Sequence, residues 1–180
     1  MANFLNILRK EEERRRTGKP LPLAARSWAH QYAGRASEFI GEIMGAEWYT
    51  PDWLAWRAFV KSVFAESMNS EELAIYRQCT ALDEPPTSRQ REIWVPVGRR
   101  GGKSRISALL GVHLAVCYDY LPYLAPGELG SVVVLADTRD HAASIMNYVK
   151  AALLDHPKLA TLVKRPLVES IELEDRVEIE

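Results

Sequence analysis

Apolar and polar positions divide the chain into a helical first half and an alternating second half. From Ala24 to about Thr80 apolar residues recur at helical spacing. Thr50, Pro51 and Asp52 read as an N-cap, an N1 proline and an N2 acid. They open a helix whose Trp53, Trp56, Phe59, Val60, Val63 and Phe64 follow the i, i+3, i+4 rule. Asn69 with Glu72 three residues later predicts a capping box and a second helix toward Gln78. Trp48, Trp53 and Trp56, clustered at helical spacing, read as core packing rather than as a surface for stacked bases. Upstream, the run Arg9 to Arg16 sets acids three and four positions before bases, a solvated helical or frayed terminus that Gly18 and Pro20 end.

The segment Leu82 to Ser88, with Pro85 and Pro86, breaks this periodicity and acts as a linker. After it, Glu92 to Val97 reads as a short buried strand, with Pro96 favouring its end or a sheet edge. A glycine-rich turn, Gly98 to Ser104, leads into a helix from Arg105 to about Asp119 with the stripe Ile106, Leu109, Leu110, His113, Leu114 and Cys117. Leu121 to Gly130 is loop. Ser131 to Ala136 is a β-branched run of the kind buried on both faces of a parallel sheet. Asp137 or Thr138 caps a further helix through about Leu154, with Asp140 in its first turn. Strand, loop, helix, strand, helix is the order of an α/β fold. At the end Ile171, Leu173, Val177 and Ile179 share one parity, which fits one strand or a hairpin turning at Glu174 to Arg176. No internal repeat or low-complexity segment occurs.

A length of 180 residues suggests about one domain. The composition, 47% hydrophobic and 26% charged, is ordinary for a globular chain and excludes a disordered or collagen-like one. Cys79 and Cys117 are too few for a disulfide framework or a four-cysteine zinc site, which favours a reducing compartment. Ala108 to Tyr118, the longest nearly apolar stretch, falls far short of a membrane span, and Phe4 to Leu8 is too short for a signal-peptide core. The net charge of −1 conceals a division. From Arg89 to Arg105 six bases (Arg89, Arg91, Arg99, Arg100, Lys103, Arg105) stand against Glu92 alone; from Val168 onward six acids stand against Arg176. A basic block in a neutral protein points to a local anion site.

The candidate chemistry lies in that block. In Gly98-Arg99-Arg100-Gly101-Gly102-Lys103-Ser104, between strand and helix patterns, glycines let the backbone wrap a phosphate, N–H groups and the helix N-terminus donate to it, Lys103 reaches β/γ-phosphates and Ser104 holds Mg²⁺. The usual spacing places the first glycine at position 97, which is Val97; with Gly98 the loop is one residue short. A glycine turn with a solvated basic face and a site for some other anion are the competing readings.

With Arg105 added, this segment resembles the deviant Walker A loop of bacteriophage terminase large subunits, in which an arginine stands four residues before the lysine. Pro86 to Trp94, Leu124 to Glu128, Val132 to Ala142 and Glu169 to Leu173 are similar to the same family's ATPase domain, so the resemblance covers about 85 to 180. It implies an α/β P-loop NTPase core of the additional-strand type, incomplete here, behind a mainly helical region at 1–84. It also implies an ATP-driven motor that moves double-stranded DNA into a procapsid. The partners would be the portal protein and the small terminase subunit, in a ring homo-oligomer when full length, in the host cytoplasm. The cofactors would be ATP and Mg²⁺, with Gly98, Arg99, Arg100, Gly101, Gly102, Lys103 and Ser104 around the phosphates and Ser104 on the metal. Lys103 and Arg99 would be catalytic, Arg99 stabilising the transferring phosphoryl group on its own or a neighbouring subunit's nucleotide. Gln90 is a candidate adenine contact. No apolar strand ending in Asp-Glu follows residue 104, and the family's nuclease carboxylates are absent. The expectation is therefore roughly the first third of such a subunit, binding ATP but hydrolysing little. The alternative is a non-hydrolysing module that binds DNA, portal or small subunit.

Other residues have plainer readings. His113 and Cys117, four apart, share a face as two metal ligands would, yet both lie on the apolar stripe and read as core. Asp137, Thr138 and Asp140 are explained by helix capping, and Arg139 is a minor candidate for contact with DNA or nucleotide.

Overall fold

The computed structural model describes residues 23–180, so the Phe4 to Leu8 cluster and the charged run 9–16 lie outside the described residues. Among the described residues the α-helices are α1 (Leu23–His30), α2 (Ala36–Met44), α3 (Leu54–Phe64), α4 (Ser70–Thr80), α5 (Lys103–Cys117) and α6 (Arg139–Asp155). The strands are β1 (Gly130–Val132), β2 (Val163–Pro166), β3 (Ile171–Leu173) and β4 (Val177–Ile179). The chain is thus mixed α/β. Its described residues fall into two compact units, 32–106 and 23–31 with 107–180.

Unit 32–106 is helical. Asn69 caps α4 as its sequence predicts: its side-chain oxygen accepts the Glu72 N–H at 2.9 Å, and Glu72 Oε2 accepts the Asn69 N–H at 3.0 Å. The helix runs to Thr80, two residues past the expected end, and stops at Ala81 in the left-handed region (φ 56°). Thr50 behaves differently from expectation. Pro51–Trp53 forms a 3₁₀ turn before α3, and the Thr50 hydroxyl donates back to the Glu47 carbonyl (2.8 Å) instead of capping. Arg57 ties this lead-in down by donating to the carbonyls of Trp48 (2.5 Å) and Thr50 (2.9 Å). Trp48, Phe39, Ile40 and Val60 are fully buried, whereas Trp53 and Trp56 are half-buried, so the tryptophan cluster belongs only partly to the core. Segment 92–97 is not a strand. Its residues are exposed except for half-buried Val97, and Trp94 is 85% exposed. Pro96 removes one ladder donor, and no strand lies beside this segment in its unit to pair with the rest.

In the unit containing 107–180, the tail is a hairpin. β3 and β4 pair antiparallel with Ile171 opposite Ile179, turning through Glu174 to Arg176, where Arg176 takes φ 59°. Ile171, Leu173, Val177 and Ile179, the residues of one parity, are all buried. The sheet order is β1-β4-β3-β2, with β1 parallel to β4 (Val132 opposite Ile179) and the other pairs antiparallel. β1 is therefore an edge strand and shorter than the expected Ser131 to Ala136. Backbone bonds continue past it, Glu180 N–H to the Val132 carbonyl (3.1 Å) and Val134 N–H to the Glu180 carbonyl (2.6 Å). Val133 and Leu135 remain exposed, because an edge strand in a mixed sheet is not covered as a central parallel strand is. Thr138 caps α6, accepting the His141 N–H at 3.3 Å. On α5 burial extends nearly all round: Ala108, Val112, Ala115 and Val116 join Leu109, His113 and Cys117. His113 and Cys117 are core, as read, and burial drives the Cys117 thiol far up from its ordinary pKa.

Candidate functional site

The glycine loop is built on α3. Gly101 N–H donates to the Gly98 carbonyl (3.3 Å) to close the turn, and the Trp56 indole N–H donates to the Gly101 carbonyl (2.7 Å). A Cβ at Gly101 would meet Val97 Cγ1 at 2.7 Å. Gly102 has φ +83°, and a Cβ there would sit 3.2 to 3.3 Å from the Trp56 and Trp53 rings. These two glycines are therefore required by close approach and backbone conformation, whereas a Cβ at Gly98 meets nothing within 4 Å. Arg100 adopts φ 61°, a left-handed conformation that a non-glycine residue enters at a cost.

Gly102 ends the turn. Its carbonyl accepts the Ile106 N–H (3.1 Å), the first bond of α5, so the N–H groups of Lys103, Ser104 and Arg105 precede any intrahelical acceptor. The helix starts at Lys103, two residues before the expected Arg105. Lys103, Arg99 and Arg100 are exposed and Ser104 is half-buried. No acid lies in the first turn of α5, which leaves the positive end of its dipole uncompensated. Arg105 is committed elsewhere: its two guanidinium nitrogens bind both carboxylate oxygens of Glu47 (2.7 and 2.9 Å), and its Cζ lies 5.4 Å from the Trp53 ring centre. That bidentate bond holds the Glu47 carboxyl below the usual carboxylate range.

A cleft of about 640 Å³ adjoins the loop at Gly101. Trp56 and Phe59 of α3, Tyr76 of α4, Gln90 and Trp94 are among its lining residues. Gln90 is positioned by its own N–H, which donates to the Val63 carbonyl (2.8 Å), and its side-chain amide donates to the Ser88 carbonyl (2.7 Å). No family model matches the chain, and no curated protein or solved structure does. The site's chemistry therefore rests on its own residues.

Gln90 and the loop thus border one cavity through Gly101, while Arg99, Arg100, Lys103 and Ser104 lie outside its lining. Sequence reasoning missed the supports: Trp53, Trp56 and Glu47 precede the loop by about fifty residues, and spacing carries no sign of such a tertiary contact. The one available hint was two tryptophans on a helix whose apolar stripe was already wide. Elsewhere, Asp137 and His141 pair at 2.5 Å on the exposed start of α6, which holds the Asp137 carboxyl below its ordinary range, and Arg139 pairs with Glu169. Among the described residues no group of three or more His, Cys, Asp or Glu is placed to hold a metal, and no helix is long and apolar enough to cross a membrane.

Proposed function

We propose that the chain is the ATP-binding part of a motor of the terminase large-subunit type, with Gly98 to Ser104 as its phosphate loop. The observation that carries this reading is a turn with two left-handed residues, Arg100 and Gly102, feeding a helix whose first residue is Lys103. Three helix-start N–H groups, a lysine and two solvated arginines then converge in sequence on a local anion site. A Mg²⁺ that arrives on nucleotide phosphates needs only one or two protein oxygens, and the half-buried Ser104 hydroxyl fits that need. When bound, the ion would neutralise phosphate charge. Lys103 would bind the β/γ-phosphates, and Arg99 would stabilise charge on the phosphoryl group. Because no Asp-Glu pair follows residue 104, the 180 residues are expected to bind Mg-ATP and turn it over little. Calorimetry tests this: Mg-ATP should bind, and Lys103→Ala should weaken it about tenfold or more. Absence of binding, or an unchanged affinity in the variant, would overturn the nucleotide reading.

A second reading is favoured by one observation, the lack of a strand at 92–97 ahead of the loop. On it the chain is an interaction module for DNA, portal or small subunit, and its DNA affinity would be salt-sensitive yet indifferent to Lys103→Ala.

A further inference from the structure

Unit 32–106 also presents features that a phosphate loop does not use. Trp94 is 85% exposed, and its indole N–H is already satisfied by Glu92 Oε1 at 2.8 Å. What the ring offers solvent is its apolar, π-rich faces, a large surface to leave wet without purpose. Trp94 lines the cleft together with Trp56 and Phe59, edge-to-face at 5.4 Å, and Tyr76. The chain around it is cationic. Arg91, Arg99, Arg100 and Lys103 are exposed, and none has an ion pair among the described residues. One of these, Arg91, lies outside the Gly98 to Ser104 loop and has no part in the nucleotide site proposed above.

We propose that this cleft and the flanking basic segment bind single-stranded nucleic acid. Trp94 is the stacking platform, the aromatic cleft behind it receives an unstacked base, and Arg91, Arg99 and Arg100 hold the backbone phosphates. Stacked aromatics beside a cationic track are the combination that single strands require, since every base has a π-face and every linkage one negative charge. A duplex hides its base faces within the stack and offers only phosphates and groove edges, so it can use the arginines but not Trp94 or the cleft. Gln90, whose NH₂ donates to the Ser88 carbonyl, is one of the polar residues that line the cleft. The site shares Arg99 and Arg100 with the phosphate loop, whereas Trp94 and Arg91 are its own, so Trp94→Ala separates it from ATP binding.

Fluorescence anisotropy with a labelled oligothymidylate of about twelve nucleotides, set against a duplex of equal length, tests the proposal. The single strand should bind more tightly. Trp94→Ala should weaken it roughly five- to a hundredfold with little change in salt dependence, and Trp94→Phe should recover part of the loss. Arg91→Gln and Arg99→Gln should each lower the salt slope by about 0.7. Trp94 lies outside the core, and unchanged circular dichroism would show that the variant keeps its fold. Equal affinity for strand and duplex, no effect of Trp94→Ala, or no binding at low salt would each overturn the proposal. So would ATP affinity that falls with Trp94→Ala while oligothymidylate affinity does not, which would assign the cleft to a mononucleotide's base.

Discussion

At Glu72 one carboxylate serves two helices. Buried to 2% exposure, it closes the α4 capping box with Asn69, accepts Lys61 Nζ at 2.7 Å and lies 3.6 Å from Arg57 Nε. Removing it would strip a helix cap and leave two cations of α3, both largely shielded from water, without their counter-charge. We expect Glu72→Ala to cost about 3 kcal/mol in denaturant unfolding and Glu72→Gln less, because the amide oxygen can still accept. A loss below about 1 kcal/mol would mean that Arg57 and Lys61 reach solvent well enough to behave as a surface pair. Asn69 and Glu72 were legible in the sequence because a capping box is local, its two bonds spanning three residues. Glu47 with Arg105 and Trp56 with Gly101 were not, being 58 and 45 residues apart.

Elements were legible where local chemistry decides them and illegible where a partner does. The start of α6 belongs to the first kind. Thr138 has extended φ and ψ (−138° and 155°) and accepts the His141 N–H, so Thr138→Ala should cost about 1 kcal/mol, read in the same unfolding assay. Thr138→Ser, which keeps the acceptor, should retain most of that stability. The hairpin at 171–179 is also local, and its parity named the buried apolar residues, although Glu172 of the opposite parity is buried as well. Segment 92–97 belongs to the second kind. Its apolar run satisfies a strand pattern, yet a strand exists only where backbone groups find a neighbour, and the four-stranded sheet draws all its strands from residues 130–179. The same reasoning explains β1, where a β-branched run forms only three residues of strand at an edge. For the site, sequence identified the loop and placed Gln90 upstream of it. The tryptophan supports and the cleft needed the fold of α3 and α4.

For the whole molecule, the net charge of −1 says little about pH response, because a half-buried carboxylate, Glu66, and a buried one, Glu172, shift in opposite senses in the two units. In unit 32–106, burial pushes the Glu66 carboxyl above its ordinary range despite the Ser37 N–H that it accepts at 3.0 Å. A raised acid favours the folded state when protonated. Its contribution is fully present below the unfolded value, near about 4.3, and is lost as pH rises through the folded value. In the other unit, Lys164 bonds the Glu172 carboxyl and, with Arg165 at 3.0 Å, holds it below the ordinary range. That contribution is present above about 4.3 and lost as pH falls through the lower folded value. Glu66→Gln should therefore raise the melting temperature at pH 7 and remove the part of the wild-type gain that Glu66 supplies between pH 7 and about 4.5. Glu172→Gln should lower the melting temperature at pH 7 and reduce the further loss below about pH 4. Four of the five tryptophans, Trp48, Trp53, Trp56 and Trp94, lie in unit 32–106, so intrinsic fluorescence weights the Glu66 effect and far-ultraviolet dichroism samples both units. A lower melting temperature for Glu66→Gln at pH 7 would show that its bond to the start of α2 outweighs the cost of burying its charge.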